Sequence, residues 1–138
     1  MKIKKHQEAL CTTPVTQAEL TACSKGLVRA GFCEIPKSYA NFLAQTNGYA
    51  WNGYEFYGTI TVEEDGTGYR LMDIITQNIG FDNNYGVCGK LLLGRFDIAY
   101  YVYNSASGKY EELDSDSPEL DVMTEFDTFE ELLDAIHL

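Results

Sequence analysis

Lys90-Leu91-Leu92-Leu93-Gly94-Arg95-Phe96, then Asp97, then Ile98-Ala99-Tyr100-Tyr101-Val102-Tyr103-Asn104 is the stretch whose reading decides the fold. Both runs have the apolar, aromatic and β-branched character of strands. Strand side chains alternate between faces, so Tyr101 and Tyr103 share one side and Tyr100 and Val102 the other. Ser105-Ala106-Ser107-Gly108 is a hairpin-sized loop into a third run over 109–113. Strands joined by such short loops pair antiparallel, since parallel neighbours need a long crossover.

Working outward toward the N-terminus, 54–60 (Tyr-Glu-Phe-Tyr-Gly-Thr-Ile) reads as another strand, and Asp65-Gly66-Thr67-Gly68 is turn chemistry. A middle helix is expected over 71–79, with Leu71, Ile74, Ile75 and Ile79 near a 3.6-residue period, and 82–86 as a loop. Two helices come first. Thr16-Gln17-Ala18-Glu19 is a capping box, followed by the apolar stripe Leu20, Cys23, Leu27 and Val28, and Gly31 ends the helix. Pro36 suits the first turn of a second helix over 36–46, which faces Tyr39, Phe42 and Leu43 inward and stops at Asn47-Gly48. On the C-terminal side, 114–118 is an acidic turn and 120–126 a last strand. Asp127-Thr128-Phe129-Glu130 then caps a closing helix with the stripe Phe129, Leu132, Leu133 and Ile136. Helices, then strands, then a helix describe an α+β fold in one domain, residues 16–138, behind an N-terminal arm of residues 1–15.

The composition of the 138 residues is that of a globular chain, 45% hydrophobic and 22% charged. The net charge of −11 disfavours direct contact with nucleic acid or anionic membranes. That charge is unevenly spread. Residues 1–50 carry six basic and three acidic side chains, whereas 51–138 carry four basic and 18 acidic. Such segregation marks either an interaction face or a solubilising surface. No apolar run is long enough to span a bilayer, and the basic N-terminus lacks the apolar core of a secretory signal. A cytoplasmic protein with reduced thiols is expected. Cys11, Cys23, Cys33 and Cys88 form no C-x-x-C pair and read as small hydrophobes, with Cys23 and Cys33 on helical segments.

No catalytic motif stands out. His6 and His137 sit near the two ends, and no nucleophile-elbow, zinc-protease or P-loop pattern occurs. Asp114-Ser115-Asp116-Ser117-Pro118-Glu119 has the alternating oxygens of a calcium loop but lacks its glycine, so a plain acidic turn is expected and no metal or other cofactor. The aromatics are more informative. Trp51, Tyr54 and Tyr57 fall beside the acidic loop Glu63-Glu64-Asp65, and a second acidic group, Glu111, Glu112, Asp114 and Asp116, follows the tyrosine-rich strand. Tyrosine and tryptophan either fill the core of a small sheet or anchor a partner. These ten residues are the candidate partner-binding set.

Three stretches in this order resemble the SUKH superfamily, the Smi/Knr-like cell-wall-assembly-regulator domain. They are Ile35-Pro36-Lys37-Ser38-Tyr39-Ala40-Asn41-Phe42-Leu43 with Asn47-Gly48, then Phe56-Tyr57-Gly58, then Phe126-Asp127-Thr128-Phe129-Glu130-Glu131-Leu132-Leu133. At Arg95-Phe96-Asp97-Ile98 the chain keeps the family's aspartate but lacks the glycine that often follows it. The resemblance covers roughly residues 16–138. It implies a curved, mainly antiparallel sheet with helices packed beside it, and Tyr39, Phe42, Phe129 and Leu133 as fold residues. It also implies, for bacterial members, non-enzymatic immunity proteins that bind toxins, often nucleases. An acidic aromatic face suits a basic toxin domain, which it would occlude. A regulatory protein-interaction module unrelated to toxins and a small-molecule-binding domain are the alternatives.

Overall fold

Three long strands make the centre of the sheet, as the tyrosine-rich stretch predicts: β6 (Lys90–Phe96), β7 (Ala99–Asn104) and β8 (Lys109–Asp114). The structure, a computed structural model, describes residues 9–86 and 89–138. On one side of β6 lie β3 (Tyr54–Phe56), β2 (Tyr49–Trp51) and β1 (Leu10–Cys11); beyond β8 lies β9 (Val122–Phe126). The order is β1-β2-β3-β6-β7-β8-β9, every pair antiparallel, and a separate small sheet joins β4 (Val62–Glu63) to β5 (Arg70–Leu71). With helices α1 (Gln17–Arg29), α2 (Lys37–Leu43), α3 (Ile74–Tyr85) and α4 (Phe129–Ala135), the fold is α+β and the sheet stays open.

Helices cover both faces, and neighbouring tyrosines show how. Tyr100 turns toward α3, with its ring 5.0 Å from Phe81. Tyr101, next in β7, turns the other way and stacks on Phe56 at 5.5 Å. On that side Phe129 of α4 sets its edge against Tyr39 (4.8 Å), Phe42 (5.1 Å) and Phe56 (5.4 Å). Each such pair adds about 0.5–1.5 kcal/mol beyond the area it buries. Tyr39 is wholly buried, and its hydroxyl donates to the carbonyl of Tyr57, with that of Leu93 at 3.1 Å. Residues from the stretches 35–43 and 126–133 therefore meet in one cluster.

The sheet departs from the sequence reading in several places. The strand expected over 54–60 ends at Phe56, because the chain is then pinned to Asn47. Thr59 N donates to Asn47 Oδ1 at 2.8 Å, and a Cβ on Gly58 would lie 2.4 Å from the Asn47 carbonyl oxygen. The short strands β2, β4 and β5 lie in segments where no strand is expected. Part of the N-terminal arm joins the sheet, since Leu10 and Cys11 pair with Ala50 and Tyr49. The last strand starts at Val122 rather than at 120, and Leu120 is buried ahead of it with a positive φ of 51°.

The helices shift too. Asp73 caps α3 by accepting from Thr76 N, so the helix starts at Ile74 and Leu71 belongs to β5. It continues through the segment expected as a loop, because Phe81 and Tyr85 both pack on Tyr100, and it ends where Gly86 takes a left-handed φ of 60°. Pro36 is the extended N-cap of α2 rather than part of its first turn, and α2 ends at Leu43. Thr128, not Asp127, caps α4, accepting from Glu131 N, while Asp127 pairs with Lys109. Within α1 the stripe holds at Cys23 and Leu27, but Val28 is 56% exposed. Cys33 lies outside any helix, and Cys88 and His6 lie outside the described residues.

Candidate functional site

The β2–β3 hairpin builds one end of the site. Asn52 and Gly53 both have positive φ, 48° and 87°, the backbone of the tight turn that matches strand twist. This Asn-Gly turn sets Trp51 directly opposite Tyr54. The Tyr54 ring stacks flat on Phe96 at 4.0 Å and 14°, and Tyr101 lies 6.5 Å from Tyr54. The rings thus step from buried Phe56 and Tyr101 to half-buried Tyr54 and Phe96.

Glu112 supplies the charge. It stands opposite Tyr101 in the register of β7 and β8. Burial, and then the Glu112 charge, push the Tyr54 phenol up from its usual range; Tyr101 is raised well above it for the same two reasons. Both phenols stay neutral beside the Glu112 carboxylate. Asp114 flanks this strip, in register with Ala99, which is itself in register with Phe96. Asp116 follows at the exposed β8–β9 turn, where its N–H donates to Asp114 Oδ1 at 2.9 Å. Trp51, Tyr54, Glu112, Asp114 and Asp116 therefore border one surface, and Phe96, which the sequence reading did not single out, is its central ring.

Five of the ten candidates do not join this surface. Tyr57 is only 1% exposed, with its phenol raised by burial, so it is a core residue. Glu111 is 3% exposed. Its Oε1 lies 2.8 Å from Lys90 Nζ, off the direction of a hydrogen bond, and its Oε2 accepts from Asn104 Nδ2 at 3.2 Å. Alternation turns Glu111 away from Glu112 and into the protein. Glu63, Glu64 and Asp65 belong elsewhere. Glu63 pairs with Arg70 at 3.0 Å, and Glu64 N donates to the carbonyl of Tyr69. The Tyr69 hydroxyl in turn donates to Glu55, which sits between Tyr54 and Phe56 and so points to the opposite side of the sheet. The three acids line a separate depression with residues 10–14 and the exposed Ile60.

Sequence signals for the site existed in part. Asn52-Gly53 is the strongest short hairpin signal there is, and it gives the Trp51–Tyr54 pairing. Nothing local marks Phe96, whose role comes from a strand distant in sequence.

Among the described residues no group of three or more His, Cys, Asp or Glu side chains is placed to hold a metal ion. No helix among them is long and apolar enough to cross a membrane. Burial pushes the Cys23 thiol up to about 11. Compared with known proteins, the chain matches no family model and no curated protein.

Proposed function

We propose that the protein is a non-enzymatic, cytoplasmic immunity protein that binds a basic toxin domain and occludes its working surface. The observation that carries this reading is the half-buried strip Trp51, Tyr54 and Phe96, bordered by Glu112, Asp114 and Asp116. Aromatic anchors supply most of the energy in such contacts, and a rim of one charge sign speeds encounter with the opposite sign. A nuclease fits best, since a protein that must approach phosphates carries a basic working surface. Tyr54 is held by Phe96, so little of its side-chain freedom is lost on binding.

Membership of the SUKH superfamily is part of the same reading. It is supported by the ordered motifs, with Tyr39, Phe42 and Phe129 in mutual contact and Asn47 holding the turn after β3.

The test is inhibition. The purified protein is mixed at equal concentration with each of a panel of basic nuclease toxin domains, and cleavage is followed. The reading expects at least one domain to lose its activity stoichiometrically. If none is inhibited, toxin immunity is wrong and a regulatory interaction module takes its place.

A further inference from the structure

The described part of this acidic chain holds seven lysines and arginines, and they divide sharply. Four are ion-paired: Arg70 with Glu63, Lys90 with Glu111, Arg95 with Glu55, and Lys109 with Asp127. The other three, Lys25, Arg29 and Lys37, have no carboxylate of the described residues within ion-pair distance, and all three line one groove between α1 and α2. Lys25 and Arg29 are one helical turn apart on α1, so they project from the same face. Lys37 opens α2 opposite them. Glu34 is the one acid on the rim among the described residues, which leaves the groove at +2 in a protein of −11.

The floor is apolar. Leu20, Cys33, Ala40 and Tyr103 contribute to it, and Val28 lies 56% exposed next to Arg29. Val28 falls in the apolar stripe of α1, yet nothing in the described fold covers it. The groove measures about 1170 Å³. That is above the roughly 300–1,000 Å³ of small-molecule sites and suits a length of peptide.

We infer that this groove docks an acidic amphipathic peptide segment of a partner protein, laid between α1 and α2. The partner's apolar side chains cover Val28 and the floor, and its carboxylates meet Lys25, Arg29 and Lys37. This is helix-in-groove recognition with the charge sign reversed from the aromatic strip. Charge complementarity selects the occupant. A second copy of this chain offers acids too, but a head-to-tail contact between different surfaces does not close into a dimer. The inference does not depend on the toxin reading, since it uses a different surface and the opposite charge.

The probe is a fluorescent synthetic peptide with leucine at i, i+3, i+4 and i+7 and glutamate elsewhere, titrated with the full chain at low and high salt. Binding that weakens with salt is expected. The variant Lys25→Glu/Arg29→Glu should lower affinity by about tenfold or more with an unchanged thermal melt, and Val28→Ser should lower it separately. Because these positions are exposed, the variants keep the fold, and Ile98→Ser, at an exposed position outside the groove, serves as the control that leaves peptide binding intact. No binding, or equal binding by the variants, overturns the inference. So does capture of phosphatidylglycerol vesicles in place of the peptide. Self-association abolished by the same charge reversals overturns it as well, by naming a second copy as the occupant.

Discussion

Asn78 holds Leu92 by both sides of its backbone. Leu92 N donates to Asn78 Oδ1 at 2.7 Å, and Asn78 Nδ2 donates to the Leu92 carbonyl at 2.9 Å. A second Nδ2 bond, to the Ile74 carbonyl at 2.9 Å, fixes the side chain in place. Pairing between β3 and β6 reaches only Phe56 and Gly94, with one further bond from Tyr57 N to the Leu93 carbonyl. Beyond it the amide of Asn78 takes the place of a peptide unit and anchors α3 to the sheet. Asn78→Leu leaves two buried backbone groups unpaired. An unpaired buried polar group costs about 1–3 kcal/mol, so the loss for the two should be about 2–6 kcal/mol. Urea unfolding should show a lower midpoint with an unchanged slope.

Two glycines should respond in opposite directions to the same substitution. A Cβ on Gly94 would lie 2.2 Å from the Glu55 carbonyl oxygen and 2.4 Å from Phe56 Cδ1, so Gly94→Ala must push β3 off β6. A methyl group on Gly80, inside α3, would meet nothing within 4 Å. Gly80→Ala should stabilise by about 0.5–1 kcal/mol through helix propensity. Thermal melts of the two variants check both signs.

Glu111 separates folding from binding. Glu111→Ala leaves Lys90 half-buried without its partner. Breaking a fully buried pair costs about 3–5 kcal/mol, and because Lys90 still reaches water the expected loss is nearer 1–3 kcal/mol. Glu112→Ala lies on the surface strip and should cost less than about 1 kcal/mol. Chemical denaturation of the pair is the check, and equal losses would contradict the opposite-facing arrangement.

The helices were legible because their signals are local. The Thr16–Glu19 box forms as the sequence reads, with Glu19 N donating to Thr16 Oγ1 at 3.1 Å and Thr16 N to Glu19 Oε1 at 2.9 Å. The central hairpins were legible from alternation and loop length. What escaped depends on partners far along the chain. Asn83 and Asn84 read as loop, yet α3 carries through them because Phe81 and Tyr85 find Tyr100. Tyr57 and Glu111 looked like surface candidates, and only the meeting of β3 with β6 and of β8 with Lys90 puts them inside. In the candidate site, residue type and alternation pointed to Tyr54 and Glu112, while their convergence on Phe96 is a tertiary fact.

Alkaline pH should unfold the protein cooperatively. Tyr49, Tyr100 and Tyr110 are each pushed up to about 12, chiefly by burial, from an ordinary value of 10. The folded state thus holds these protons more tightly than the unfolded one. The stability they contribute is full below about pH 10 and is lost as pH rises through about 12. Phenolate absorbance and far-ultraviolet circular dichroism should change together in that window. Ionisation of all ten phenols near pH 10 with intact dichroism would contradict the burial of these rings.

The most direct measurement of the central claim is inhibition of a susceptible basic toxin domain by the variant Tyr54→Ala/Glu112→Lys, compared with the unaltered protein. The variant removes one aromatic anchor and reverses one rim charge on the strip. With thermal melting confirming an intact fold, inhibition is expected to weaken about a hundredfold, mostly through faster dissociation and with a smaller, salt-sensitive loss in association rate. Undiminished inhibition by a folded variant would show that the toxin does not bind at Trp51, Tyr54, Phe96 and Glu112, and the account of this face would be wrong.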